Sequence, residues 1–251
     1  MFKLLLPLAL TASVVSGQVH ADDFSDKVKQ AMKSELRTEK EVNRDRNRKP
    51  VQTLEFFGIK EDMRVLELIP GGGWYTKLLA PALRDKGQYY AALGTSRIEK
   101  NLLGKGDFDK AKVVSKDTSM KYNRDIGGYE IGKINFDLKN LDAVLTFRNY
   151  HNFGEEGRHK MNQAAFKALK PGGVYGVIDH TRRHMQKKND ENGRRFDPVL
   201  AIKEIQQAGF ELVDYSTLHY RADDELRYEV GRKTVTGNTD RFTLLFKKPS
   251  K

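Results

Sequence analysis

The run VLELIPGGGWYT, Val65 to Thr76, restricts this chain more than any other. An apolar segment carrying one acid, Glu67, turns through Pro70, Gly71, Gly72 and Gly73 and leads into the amphipathic stretch TKLLAPALRDKG. A Cβ at the glycines would obstruct both a tight turn and a close approach of backbone to a ligand. The helix that follows presents its first N–H groups, unpaired within the helix, to whatever lies over the turn. The pattern predicts a strand–turn–helix crossing of the kind that binds nucleotides, although the same turn serves purely as packing in many α/β proteins. A dinucleotide fingerprint, G-x-G-x-x-G, would need a third glycine where Thr76 stands, which argues against a nicotinamide-dependent reductase.

The same alternation continues along the chain. QYYAAL after Gly87, AKVVSKDTS around Val113 and LDAVLTF from Leu141 to Phe147 read as short buried strands, the last followed by Arg148-Asn149-Tyr150-His151-Asn152. MNQAAFKAL predicts a helix ending before Pro171, then a Gly172-Gly173 turn and a strand from Val174 to Ile178 that closes on Asp179-His180. Pro198 opens a helix that stops at Gly209, and FELVDYSTL and RFTLLFKK supply two more strands. Elements alternating at these lengths predict an α/β fold: a single Rossmann-like domain whose mostly parallel sheet is covered on both faces.

The acid ahead of a glycine-rich turn, and LKPGG before a later strand, resemble class I S-adenosylmethionine-dependent methyltransferases; the likeness spans Val51 to Lys248. The runs ELIPGGGWYT, TFRNYHNF and GFELV are similar to those of an exported bacterial group within that superfamily. The resemblance implies a seven-stranded sheet with a reversed C-terminal strand, and S-adenosylmethionine as cofactor. It implies a cofactor set of Glu67, Pro70, Gly71, Gly72 and Gly73 around the amino acid part of the donor. Asp117 would lie near the adenine, and Arg148 and Asn149 at the adjoining strand end. Two positions depart from the family pattern. Ile69 stands where its first glycine usually lies, and Leu93 stands where a carboxylate usually receives the ribose hydroxyls.

Ahead of this domain the chain changes character twice. Met1 to Lys3 is a short basic start, Leu4 to Val15 an apolar run too short to span a bilayer, and Val19-His20-Ala21 offers small residues where a signal peptidase cuts. Residues 1–21 are therefore expected to be a signal peptide, and the mature protein to be periplasmic or secreted. Residues 22–62 form a charged N-terminal helical extension. VKQAMKSELRTEKEVNRDRNRKP is expected as one helix ended by Lys49-Pro50 with VQTLEFFGI as a second, and residues 63–251 as the methyltransferase-like domain. Arg46 and Arg48 read as a solvated helix end, with a pocket role as the alternative. With no cysteine, disulfides, thiolate metal sites and cysteine nucleophiles are excluded.

Charge and chemistry bound the partners. The formal net charge of +11 favours anionic neighbours such as phospholipid headgroups or envelope polyanions, hence a peripheral membrane contact. Basic residues spread along the chain without interleaved aromatics argue against specific nucleic-acid binding. The stretch from Arg182 to Lys188, with Arg194 and Arg195, is either a loop that recognises an acidic acceptor or a solvated one. Methyl transfer is an in-line displacement, so the protein must align the acceptor and, where needed, remove its proton. His151 and His180, at strand ends that converge on one crevice, are the candidate bases, against structural hydrogen-bonding roles. Close-spaced H-x-x-x-H or D-x-D pairs are lacking, so no metal is expected. Two functions follow: an exported methyltransferase acting on a small or lipid-like acceptor, or a non-catalytic nucleoside- or anion-binding protein on the same fold.

Overall fold

The computed structural model describes residues 23–250, so the expected signal peptide lies outside the described residues. Four short helices come first: α1 (Asp23–Met32), α2 (Glu39–Val42), α3 (Asp45–Arg48) and α4 (Pro50–Phe56). The charged run expected as one helix is thus broken into three, for local reasons. Thr38 caps α2 through a capping box with Glu41, Lys49 at φ 40° ends α3 in the left-handed region, and Pro50 at the first position starts α4.

The alternating elements follow in chain order as β1 (Arg64–Leu68), α5 (Thr76–Leu83), β2 (Gln88–Ala92), α6 (Ser96–Asn101) and β3 (Lys112–Val114). Next come the hairpin β4 (Met120–Asn123) and β5 (Gly128–Ile131), then β6 (Leu141–Phe147), α7 (Glu155–Ala168) and β7 (Leu169–His180). The chain closes with α8 (Pro198–Gln207), β8 (Glu211–Tyr215) and β9 (Arg241–Lys247). Seven strands form one sheet in the order β3-β2-β1-β6-β7-β9-β8, in which β9 alone is antiparallel to its neighbours. This is the mostly parallel sheet that the alternation of elements predicts, with the seven strands and the reversed C-terminal strand that the resemblance implies. The β4–β5 hairpin was not anticipated: its strands are short and largely exposed, without a buried stripe to signal them. β7 also starts earlier than expected, because Leu169 pairs with Leu141 ahead of an irregularity at the KPGG segment.

Side-chain alternation sorts the sheet into two cores. Leu66, Leu68, Val144 and Val177 pack with α7 and α8, whereas Val65, Ala91, Leu145 and Ile178 pack with α1, α4 and α5. Period two puts Glu67 on the second face, toward the start of α5. Strand order reverses between β1 and β6, so the crevice beyond their carboxyl ends is where a ligand is expected. The backbone there is strained: Ile69 (φ 56°), Leu93 (φ 67°) and Arg148 (φ 61°), which follow β1, β2 and β6, all occupy the left-handed region. A β-branched residue rarely adopts it, and such strain persists only where surrounding structure enforces it. The Ile69 N–H donates to Ala92 O at 2.8 Å, and Asn149 Nδ2 donates to Ile69 O at 3.0 Å.

Candidate active site

Two cavities sit side by side over these strand ends. The first, of about 300 Å³, lies over the glycine turn and is lined by Glu67, Pro70, Gly71, Gly72, Arg148 and Asn149 among others. The structure therefore gathers six of the eight residues expected around a cofactor. Gly73 is buried beneath the turn instead: a Cβ there would meet Leu102 Cδ1 at 2.7 Å and Ile98 Cγ2 at 2.9 Å, so its glycine serves the packing of α6. Asp117, exposed after β3, lines neither cavity. At Gly71 and Gly72 nothing lies within 4 Å of a built Cβ, which leaves an open cradle.

Glu67 is buried, and its Oε2 accepts from Thr76 Oγ1 at 2.9 Å and Tyr89 OH at 2.6 Å. No protein donor among the described residues reaches its Oε1. Burial pushes the Glu67 carboxyl up to about 7, against the lowering effect of the two hydroxyl donors and Arg48. A cation arriving in this cavity would hold the carboxylate ionised.

The N-terminal segment roofs the turn. Trp74 Nε1 donates to Glu41 O at 3.0 Å, and Lys77 Nζ to Leu36 O at 2.8 Å and Glu41 Oε2 at 2.8 Å. Arg46 is exposed, as a solvated helix end should be, but Arg48 is buried and lines both cavities. Its guanidinium stacks on Trp74, 4.2 Å from the ring centroid. The Arg48 carbonyl is fixed by Thr53 Oγ1 at 2.9 Å and by the buried His219 Nε2 at 3.0 Å. Charge periodicity could not reveal this, since Arg48 turns inward only because the helix expected there is broken.

The second cavity, of about 360 Å³, shares Arg44, Arg48 and Arg148 with the first and adds His151, His180 and Arg241. Both candidate bases thus meet in one crevice, their ring centroids 6.1 Å apart. The fully buried Asp179 holds them: its Oδ2 accepts from His151 N at 2.8 Å, and its Oδ1 from His151 Nδ1 and His180 N at 2.7 Å each. A carboxylate accepting from Nδ1–H leaves the His151 lone pair on Nε2, on a ring that walls the cavity. Asp179 is thus a positioning residue, whose side-chain role the strand reading alone did not identify. His180 Nδ1 shares a 2.8 Å hydrogen bond with Thr239 Oγ1. Burial, then Arg241 and Arg148, hold His180 well below the usual imidazole range, so it is a neutral wall. Of the basic loop after β7, Arg195 is spent on a buried pair with Asp224, and Arg194, paired with Glu229, alone reaches this cavity. Among the described residues no group of three or more acidic or imidazole side chains is arranged to hold a metal ion.

No family model matches the sequence, and comparison with curated proteins returns no match. Solved structures do match. A SAM-dependent methyltransferase from Aquifex aeolicus aligns over 89% of this chain and 97% of its own at 15% identity, TM-score 0.55. The glycopeptide N-methyltransferase MtfA aligns over 81% and 96% at 15% identity, TM-score 0.51. The [4+2]-cyclase SpnF aligns over 91% and 94% at 13% identity, TM-score 0.55. The fold is accordingly that of the class I S-adenosylmethionine-dependent methyltransferases.

Proposed function

We propose that the protein is an S-adenosylmethionine-dependent methyltransferase, with the donor over the Glu67–Gly72 turn and the acceptor in the neighbouring arginine-walled cavity. The observation that carries this reading is the shared wall: Arg48 and Arg148 separate an open glycine cradle from a His151–Asp179 pair. Glu67 suits a cationic donor, because a buried carboxyl with one unpaired oxygen gains from a positive partner. S-adenosylmethionine, when bound, supplies an electrophilic sulfonium methyl group. His151 Nε2 takes the proton from the acceptor's nucleophilic atom, and Asp179 keeps that ring in the tautomer and orientation needed. The arginines hold the acceptor in line, and the roof from Glu41 to Arg48 limits water over the donor cavity. Gly73 acts on the donor only indirectly in this arrangement, through the packing of α6, and Asp117 lies outside both cavities.

A binding role without transfer is the second reading, favoured by Leu93, whose apolar side chain stands where a ribose-receiving carboxylate would be needed. SpnF, named a cyclase, illustrates that this fold does not dictate the reaction. The leader sequence supports export with cleavage after Ala21, checked by intact mass of periplasmic protein. Calorimetric titration with S-adenosylmethionine and S-adenosylhomocysteine tests the principal reading: both bind with one-to-one stoichiometry if it holds, and absence of binding removes it.

A further inference from the structure

The second cavity contains no Asp or Glu among its lining residues, yet Arg44, Arg48, Arg148 and Arg241 all reach it unpaired with any carboxylate. Arg48 and Arg241 are 5% and 6% exposed. The Arg48 guanidinium makes no hydrogen bond with the described residues, and neither does that of Arg148. Arg241 donates from Nη1 to Asn47 O at 3.0 Å, while its buried Nε finds no acceptor. The nearby Asp179 is committed to His151 and His180.

Burying like charges such as Arg48 and Arg241 with no carboxylate in ion-pair contact is costly, and proteins ordinarily pair such groups or keep them in water. Arg48 and Arg241 are displaced downward, to about 8 and about 10, chiefly by burial and by the neighbouring Arg148. A local violation of this kind is expected where a ligand supplies what is missing. Guanidinium forks match the oxygens of phosphate, and several converging forks match a dianion better than a single carboxylate.

We propose that this cavity binds a phosphate group, carried by the acceptor, between Arg48, Arg148 and Arg241. The inference rests on the methyltransferase reading only for the word acceptor; the anion site itself stands without it. Arg48 and Arg148 also border the donor cavity, so a donor carboxylate could neutralise one of them. Arg241 lines the second cavity alone and separates the two anions.

The test uses the mature protein without donor. Inorganic phosphate and pyrophosphate are titrated by thermal shift and calorimetry against chloride at matched ionic strength. Wild type should be stabilised and should bind. Arg241→Met should weaken phosphate binding about tenfold or more, while raising the melting temperature of the ligand-free protein because a buried unpaired charge is gone. Arg48→Met is the second variant, should the first fail to fold. S-adenosylhomocysteine titration of Arg241→Met should show donor affinity near wild type. Loss of donor binding in wild type with phosphate binding intact would refute the methyltransferase reading and leave the anion site standing. Phosphate affinity no better than chloride, or equal in wild type and both variants, would overturn the proposal. Co-sedimentation with phosphatidylcholine vesicles containing phosphatidic acid identifies the source. Vesicle binding that Arg241→Met abolishes indicates a lipid headgroup, whereas binding of soluble phosphate alone indicates a free phosphate ester.

Discussion

The two cavities share three arginines yet follow different electrostatic plans: the first sets Glu41 and Glu67 among four arginines, and the second has no acid in its lining. Over the glycine turn, a single acid is buried among hydroxyl donors, and the space is opened by backbone that lacks Cβ atoms. Over β7 and β9, side chains shape the space, and the uncompensated charge is positive. The first plan suits a cation with extended polar parts, the second an oxyanion. The acids confined to the first cavity favour a cationic group there, whereas the second offers an anion only positive partners, and that asymmetry is what can sort two ligands within one crevice. The His151–Asp179 pair sits on the anionic ligand's side, where an acceptor proton would have to be removed.

The largest expected effect breaks the comparison at its catalytic end. With any acceptor that turns over, His151→Ala should lower kcat by about 10²–10⁴-fold while S-adenosylhomocysteine affinity stays near wild type. His180→Ala should cost less, since its ring is a neutral wall bonded to Thr239. Equal losses in the two variants would shift the base assignment away from His151.

Blocking the cradle comes next. Gly72→Val places a side chain in open cavity without a left-handed backbone requirement, so donor binding should fall by about two orders of magnitude or more with unchanged circular dichroism. Gly71→Val should act similarly, with an added strain of about 1–2 kcal/mol at φ 58°. Gly73→Val sharpens the distinction between cradle and packing. Its side chain would collide with Ile98 and Leu102, so denaturant unfolding should show a loss of about 1–3 kcal/mol. Full stability with lost donor binding in that variant would mean Gly73 faces the ligand after all.

The smallest effect is a slope. Because burial raises the Glu67 carboxyl to about 7 in the folded protein, from its ordinary 4.5, between those two values the folded state holds a proton that the unfolded state has released. Its contribution to stability is complete below about pH 4.5 and is lost as pH rises through about 7. Melting temperatures of wild type minus those of Glu67→Gln should therefore fall across that window. A difference independent of pH would place Glu67 in an ordinary carboxylate environment. The same titration makes donor affinity rise with pH through about 7, since an ionised Glu67 attracts a cation.

The cavity over the glycine turn was legible in the sequence because it is local: Glu67, Pro70, Gly71 and Gly72 lie on one strand and one turn, and period-two alternation fixes the face Glu67 occupies. The sheet was legible for the same reason, from buried runs such as LDAVLTF and turns such as Gly172-Gly173. The second cavity was half legible. His151 and His180 could be placed at adjacent strand ends, but Arg48 and Arg241 come from the opposite ends of the described chain and meet only through the fold. A continuous helix would leave Arg48 solvated; Thr38, Lys49 and Pro50 break that helix, and Arg48 takes the alternative place against a cavity. Gly73 shows the converse: its motif points to a ligand, while the packing of Ile98 and Leu102 by itself already requires a glycine there.

The measurement closest to the central claim is a side-by-side titration of S-adenosylhomocysteine into wild type, Gly72→Val and Arg241→Met. Division of the crevice into a donor cavity over the glycine turn and an acceptor cavity beside Arg241 predicts binding to wild type and Arg241→Met with similar affinity, and binding weaker by about two orders of magnitude or more to folded Gly72→Val. No binding to wild type, or equal binding to all three proteins, would contradict it.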